Sequence, residues 1–364
     1  MRGKSKNKIN EQAGFTVAEL LVAISILLVA TASFMPLFTY ISQGSQANRT
    51  RLTATSLASG MIEQIRSMPY DSVGTKGGNP AGDIDMVQTR NIAGINFTIE
   101  THINWVDDPG DNGTTWDNIP TDYKRVKVTV STPGMFGGKV TMAEVIETLV
   151  AKEAEESAYT GGNITVRIIR GWPSVEKAKE PVSGVKISHS GGPDSPQTVW
   201  TGSTGEALFG NLKAGQYSVL PDPGNLGMIV SPGTAPQNAT VNDMSSSTLE
   251  FEVERPCNLK FKVCDRGTNE PIIANGLITL KTTTDFSYTK NLSDVDANGY
   301  ISFQNIWPAG SGLLSNPGNY RLEITGVSGY KDYELANDPD APWNGVITPD
   351  TSLVLSSPIY MDKY

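Results

Sequence analysis

The chain has 364 residues, of which only 18% are charged, with 36 Gly, 22 Pro and a formal net charge of −9. The length predicts two to four domains, and the composition suits β-rich extracellular modules better than a helical cytosolic enzyme. So acidic a chain lacks the clustered Lys and Arg that phosphate binding needs, which argues against nucleic acid as a direct partner.

Residues 1–14 carry Arg2, Lys4, Lys6 and Lys8 against a single acid, Glu11, and read as a leader that ends at Gly14. From Phe15 to Ile41 the only ionisable side chain is Glu19. A helix of that length reaches about 40 Å, against a hydrocarbon core of about 30 Å, so residues 15–41 are expected to span a membrane. The basic leader places the N-terminus in the cytoplasm, giving a single-pass protein of the cytoplasmic (inner) membrane with its bulk outside. A carboxylate in such a helix costs about 2.5 to 3.5 kcal/mol, so Glu19 needs a partner. A cut after Gly14 would provide one, because the new α-amino group on Phe15 lies one helical turn away. Pro36 removes a backbone donor from the same helix.

Gly14, Phe15 and Glu19 together resemble the N-terminus of type IV prepilins, including the pseudopilins of type II secretion systems and of competence pili. The resemblance implies cleavage between Gly14 and Phe15 by a prepilin peptidase, N-methylation of Phe15, assembly through Glu19 and a helix kink at Pro36. It implies other pilin subunits and an inner-membrane assembly platform as partners, with no cofactor, and an extracellular pilus or pseudopilus as destination. Three alternatives stand beside a minor pilin: a secretory signal peptide cut near Ala30-Thr31-Ala32, a pseudopilin of a type II-like secretion or competence system, and a membrane-anchored surface binding protein that does not polymerise. The length of the apolar run, its leading Glu, and helical patterning beyond Ala32 weigh against the first.

Helical patterning continues to about Ser67, with Ala54, Leu57, Ala58, Met61, Ile62 and Ile65 in one stripe, and Met68-Pro69 ends it. Residues 74–82 read as a flexible loop. Three strands are expected next: Gly94–Trp105 with Ile95, Phe97, Ile99, Thr101 and Ile103 alternating, then Lys124–Ser131, then Lys139–Val150. The Asp-rich stretch 107–113 reads as a solvated turn that could also hold Ca²⁺.

Beyond a charged bridge at 151–158 one plan occurs twice. Ile164, Val166 and Ile168 form a strand matched by Leu259, Phe261 and Val263. Thr204–Leu212 is matched by Asp296–Ile306, each a Gly-containing turn and an alternating strand. Gly215-Gln216-Tyr217 is matched by Gly318-Asn319-Tyr320. Two tandem sandwiches fit this plan, and they resemble the carboxypeptidase-regulatory-like and collagen-adhesin B-type modules of bacterial surface proteins. The expected fold is therefore α+β: a long N-terminal transmembrane and amphipathic helix packed on an antiparallel sheet, followed by two all-β sandwiches. Its expected parts are a leader (1–14), a helix (15–68), a β domain (69–156) and sandwiches at 157–255 and 256–364. Sandwiches this large would crowd a helical lattice, which suggests a minor, sparsely placed subunit presenting them to a host or surface ligand.

Catalysis finds little support. His102 lies in a strand and His189 in a Ser/Gly-rich loop, without metal-ligand spacing, and no nucleophile elbow or phosphate loop is present. Cys257 and Cys264 bracket a strand and point to opposite faces, too far apart to bridge. Lys260 and Lys262 stand where some adhesin modules form a Lys–Asn isopeptide bond, but Ile324 replaces the acid such a bond needs. Asp294, Asp296 and Asn298 imitate a Ca²⁺ loop yet end at Asn305, so a turn is expected. Trp172, Trp200, Trp307 and Trp343 read as core or loop anchors before sugar platforms.

Overall fold

A computed structural model describes residues 16–106, 121, 123–134, 138–150, 161–171, 180–282, 287–310 and 319–364. The chain divides into two compact units, one of residues 1–60, 89–99 and 129–144, the other of 61–88, 100–128 and 145–364. Helix α1 spans Val17–Arg66. The hydroxyls of Ser25, Thr31, Thr50, Thr53 and Thr55 donate to carbonyls one turn back, so these polar positions are satisfied within the helix. Its last turn closes with Ser67 N–H on Glu63 and Gln64 and Met68 N–H on Ile65; Pro69, lacking an N–H, cannot extend it.

Two expectations are corrected here. The fold is not an α+β arrangement built on a helix that covers a sheet. It is mostly β, with twenty strands in five four-stranded sheets beside one α-helix among the described residues. The apolar side chains of Val17, Leu20, Leu21, Val22, Leu27 and Leu28 lie exposed, and among the described side chains of α1 the first buried one is Ala54. The transmembrane assignment and the single-pass inner-membrane location also fall. Among the described residues no helix is long and apolar enough to cross a membrane.

The first sheet has the order β1 (Val87–Ile92), β2 (Ile95–Val106), β3 (Tyr123–Pro133) and β4 (Lys139–Val150). Alternation works as expected on β2 and β3, where Phe97, Ile99, Thr101, Ile103, Val126, Val128 and Val130 are buried. Strand β1 was not foreseen because almost all its side chains are exposed, leaving no two-residue period to read. Ala93 and Gly94 join β1 to β2 with φ of 51° and 81°, the positive values that a tight two-residue hairpin requires. Residues 74–82 are a compact knot rather than a loose loop. Thr75 N–H donates to Pro80 O, Gly82 N–H to Thr75 O and Ile84 N–H to Gly74 O. Gly74 and Gly82 cross so closely that a Cβ on Gly74 would stand 2.3 Å from Ala81 O.

The first sandwich combines β5 (Gly162–Arg170), β6 (Lys186–Ser190), β7 (Gln197–Trp200), β8 (Glu206–Leu212), β9 (Gly215–Asp222), β10 (Ile229–Val230), β11 (Gln237–Val241) and β12 (Ser246–Glu254). Its sheets have the orders β10-β12-β5-β8 and β11-β9-β6-β7. Ile164, Val166, Ile168, Phe209, Phe251 and Val253 from one sheet and Ile187, Val199, Tyr217, Val219 and Val241 from the other form a single core. The second sandwich uses β13 (Cys257–Asp265), β14 (Leu277–Lys281), β15 (Ser287–Asn291), β16 (Tyr300–Ile306), β17 (Arg321–Thr325), β18 (Tyr333–Glu334), β19 (Ser352–Val354) and β20 (Ile359–Met361). One sheet is β16-β13-β19 with β20 also on β13; the other is β15-β14-β17-β18.

The two sandwiches share a common core topology, although β10 of the first has no counterpart in the second and β19 and β20 together stand where β12 does. Each first strand (β5, β13) pairs antiparallel with the fourth (β8, β16) and parallel with the last (β12; β19 and β20). A bulge recurs at the same place. Asn211 and Asn305, both at φ 54°, shift the register near the start of the first strand. Their N–H groups donate to the side-chain oxygens of Asn163 (3.2 Å) and Asn258 (3.1 Å) respectively. The turn glycines Gly205 (φ 74°) and Gly299 (φ 76°) are also equivalent.

Candidate functional site

The head of α1 is where the sequence concentrated its site residues. Thr16 precedes the helix and Glu19 occupies its first turn, and the two side chains satisfy each other's backbone. Thr16 N–H donates to Glu19 Oε2 (2.9 Å), the Thr16 hydroxyl donates to the same oxygen (3.0 Å), and Glu19 N–H donates to Thr16 Oγ1 (3.3 Å). This is a capping box, which stabilises the orphan amides of a helix start and places a negative charge where the helix dipole favours it. Ala18, Glu19, Val22, Ala23 and Ile26 share one exposed, mostly apolar face of the helix. Around it Val17, Leu20, Leu21, Ile24, Leu27, Leu28 and Val29 are all exposed. Sequence reasoning identified Glu19 but missed Thr16, although Thr-x-x-Glu before an apolar run was there to be read.

Gly14 and Phe15 lie outside the described residues, as do the stretch 107–113, the bridge 151–158, Trp172 and Gly318. Pro36 lies within the uninterrupted span of α1, and its side chain is outside the described residues.

The remaining candidates are absorbed by the fold. Cys257 and Cys264 are both free and buried, and burial pushes the Cys257 thiol up to about 12. Lys260 pairs with Asp296 at 2.7 Å, and both Lys260 and Lys262 sit over the Tyr300 ring. Ile324 is fully buried, and the neighbouring Glu323 pairs with Lys281. Asp296 Oδ1 accepts the N–H groups of Asn298 and Tyr300, which makes the segment an Asx-type turn. No cluster able to hold a metal ion occurs among the described residues. Trp307 is fully buried. Trp343 is nearly so and donates its indole N–H to Val346 O at 2.7 Å. Trp200 tilts against His102 with ring centres 4.5 Å apart.

His189 lies in strand β6, not in a loop. It is 2% exposed, with Nδ1 at 2.8 Å from Ser195 Oγ and Nε2 at 3.3 Å from Gln197 Oε1. Gln197 Oε1 also accepts from Asn79 Nδ2 (2.8 Å), so the histidine ends a polar chain that reaches the 74–82 knot. Asn79 completes it by exchanging two 3.0 Å hydrogen bonds with the backbone of Gly210. Burial holds the His189 pKa down against the opposing effects of Gln197 and Asp194. Lys124 was unforeseen as well. It is 3% exposed and donates to Tyr70 O (2.8 Å) and Val73 O (2.7 Å), with Tyr70 and Trp105 rings against its ammonium. Burial lowers its pKa to about 8. A lysine inside an alternating strand gives no sign in sequence that its end folds back onto carbonyls.

No family model matches the chain, and no curated protein does. Among solved structures, the Bacillus anthracis TIE protein aligns at 14% identity over 77% of this chain and 56% of that one, with a TM-score of 0.24. This chain thus spans little more than half the length of that one. A streptococcal ancillary pilin aligns at 13% identity over 73% and 92%, with a TM-score of 0.25. The shaft pilin SpaA from Lactobacillus rhamnosus GG aligns at 11% identity over 56% and 98%, with a TM-score of 0.20.

Proposed function

We propose that the chain is a non-catalytic structural subunit of a cell-surface filament, a minor pilin of the type IV class that displays two β-sandwiches for adhesion or for priming assembly. The observation that carries this reading is the exposed apolar surface of α1 headed by Glu19. An apolar face of that extent is rare on a protein that stays alone in water, and side-by-side packing with helices of other subunits would cover it. The Gly14-Phe15 junction supplies the event that would release it, a cut by a prepilin peptidase followed by methylation of Phe15. Glu19 would then exchange its Thr16 partners for the cationic N-terminus of a neighbour, and an exposed capping carboxylate at the head of an apolar face suits that exchange. In this reading residues 15–68 form the stem, 69–156 a β domain, and 157–255 and 256–364 the displayed modules.

Mass spectrometry of the protein from sheared surface filaments tests the proposal: the expected N-terminus is methylated Phe15. A chain still beginning at Met1, or cut near Ala32, overturns it. Glu19→Ala should still be cut and yet stay out of filaments, whereas normal incorporation would remove its assigned part.

A further inference from the structure

In the first sandwich, the strand by which the chain arrives and the strand by which it leaves are parallel neighbours. β5 and β12 run in register from Asn163 opposite Ser246 to Arg170 opposite Val253. Both ends of this ladder are fastened. At the near end Asn163 N–H donates to Ser245 O (2.7 Å) and Met244 N–H to Gly161 O (3.0 Å); at the far end Gly171 N–H donates to Val253 O (3.0 Å). There Arg170 on β5 also grips Glu254 on β12, through Nε at 3.0 Å and Nη2 at 2.5 Å. Glu254 is fully buried and accepts the Arg255 N–H as well (2.8 Å).

This arrangement fixes how a pull would act. Tension passed along the backbone from the α1 side enters the sandwich at Gly162 once the bonds of Asn79 to Gln197 and Gly210 have parted, and tension from the second sandwich reaches it at Glu254. In parallel strands those two points lie at opposite ends of the ladder, so the strands are driven to slide and all their evenly spaced hydrogen bonds are strained together. Strands loaded at the same end would open one bond at a time. The second sandwich repeats the device: β13 runs parallel to β19 and β20, and Asp265 at its end holds Lys363 (2.8 Å) and the Tyr330 hydroxyl (2.7 Å). The joint between them is tight, since a Cβ on Gly171 would stand 2.7 Å from Trp307 Cζ2.

We propose that the two sandwiches are mechanical clamps in series, which bear tension along the chain with their first and last strands in shear. Their use in a filament rests on the function proposed above, but the property belongs to the sandwiches themselves and does not depend on assembly. The test is single-molecule pulling on the full chain in two geometries. One tether joins Ser45→Cys to Tyr364→Cys and loads the β5–β12 ladder in shear. The other joins Ser45→Cys to the exposed Met244→Cys turn and peels the same ladder from one end. The native thiols are buried, which leaves the introduced ones to react. Forced rupture follows the unfolding barrier rather than equilibrium stability, so the expected rupture force is about two-fold higher or more in shear. Glu254→Gln should lower the shear force and leave the peeling force alone. Equal forces in the two geometries would overturn the clamp and leave the filament reading standing. A chain that fails to assemble yet keeps the directional difference would do the reverse.

Discussion

Lys124 offers the sharpest check on the packing described above. Its ammonium is buried at the turn after α1 with a pKa of about 8, against an ordinary 10.5. Below pH 8 both folded and unfolded chains carry the proton, and the penalty for burying the charge is fully present. Between about 8 and 10.5 the unfolded chain binds more protons, so stability rises with pH across that window. At about 1.36 kcal/mol per pH unit the rise is at most about 3 kcal/mol, and some water access to the site reduces it to roughly 2 kcal/mol. A neutral amine still has two N–H groups, enough for both Tyr70 O and Val73 O, so the hydrogen bonds survive deprotonation. Lys124→Met removes charge and bonds together. It leaves Val73 O without this donor, at about 1–3 kcal/mol, and relieves the desolvation, so near pH 7 the terms largely offset. Urea unfolding of both proteins at pH 7.5 and pH 10 isolates the effect, because every other titrating group is common to the pair. The wild-type advantage should grow by roughly 2 kcal/mol at the higher pH. An advantage that stays constant or shrinks would refute the buried-ammonium assignment.

The other predictions are briefer. Arg170→Ala should destabilise the first sandwich by about 3 kcal/mol in urea unfolding, while Arg170→Met with Glu254→Leu should cost less than that single change. Asn79→Ala orphans the buried N–H and C=O of Gly210 and should cost about 2–3 kcal/mol, with faster hydrogen exchange at Gly210 as its local signature. Because burial depresses the His189 pKa, the unfolded chain takes up the proton first. Wild-type stability should therefore fall as pH drops through about 6.5, and a His189→Gln variant should lack that share of the fall. Gly205→Ala places a Cβ at 2.6 Å from Ile168 O in a left-handed turn, and thermal melting should show a loss of at least about 1 kcal/mol.

What could be read from sequence followed from how strongly a face was buried. The strands carrying Phe97, Ile99 and Val126, and the doubled plan from Ile164 and Leu259, were legible because half of each strand is core and half is not. Strand β1 and the outer parts of the sheets, with few buried side chains, left no such period. The apolar run Leu20–Ile41 was misjudged for the opposite reason: hydrophobicity reports what a segment avoids, not what covers it. Glu19 drew notice as a charge among apolar residues, but Thr16 did not, since capping is a matter of backbone geometry three residues apart. Lys124, Asn79 and Arg170 escaped because each acts through a partner far away in sequence, and a polar residue in an alternating strand reads as solvent-facing until the fold closes over it.

The recurring Asn bulge and the shared strand order have a consequence for reach. Because each sandwich takes in the chain at one pole and releases it at the other, further copies could be spliced between Glu254 and Cys257 without the chain doubling back. Length would then scale with copy number, each unit adding roughly the 30 Å of a nine-residue strand. If the chain acts as the surface subunit proposed above, it would be a spacer arm whose extension is set by duplication, and the distance at which it held its outermost module could change while α1 stayed the same.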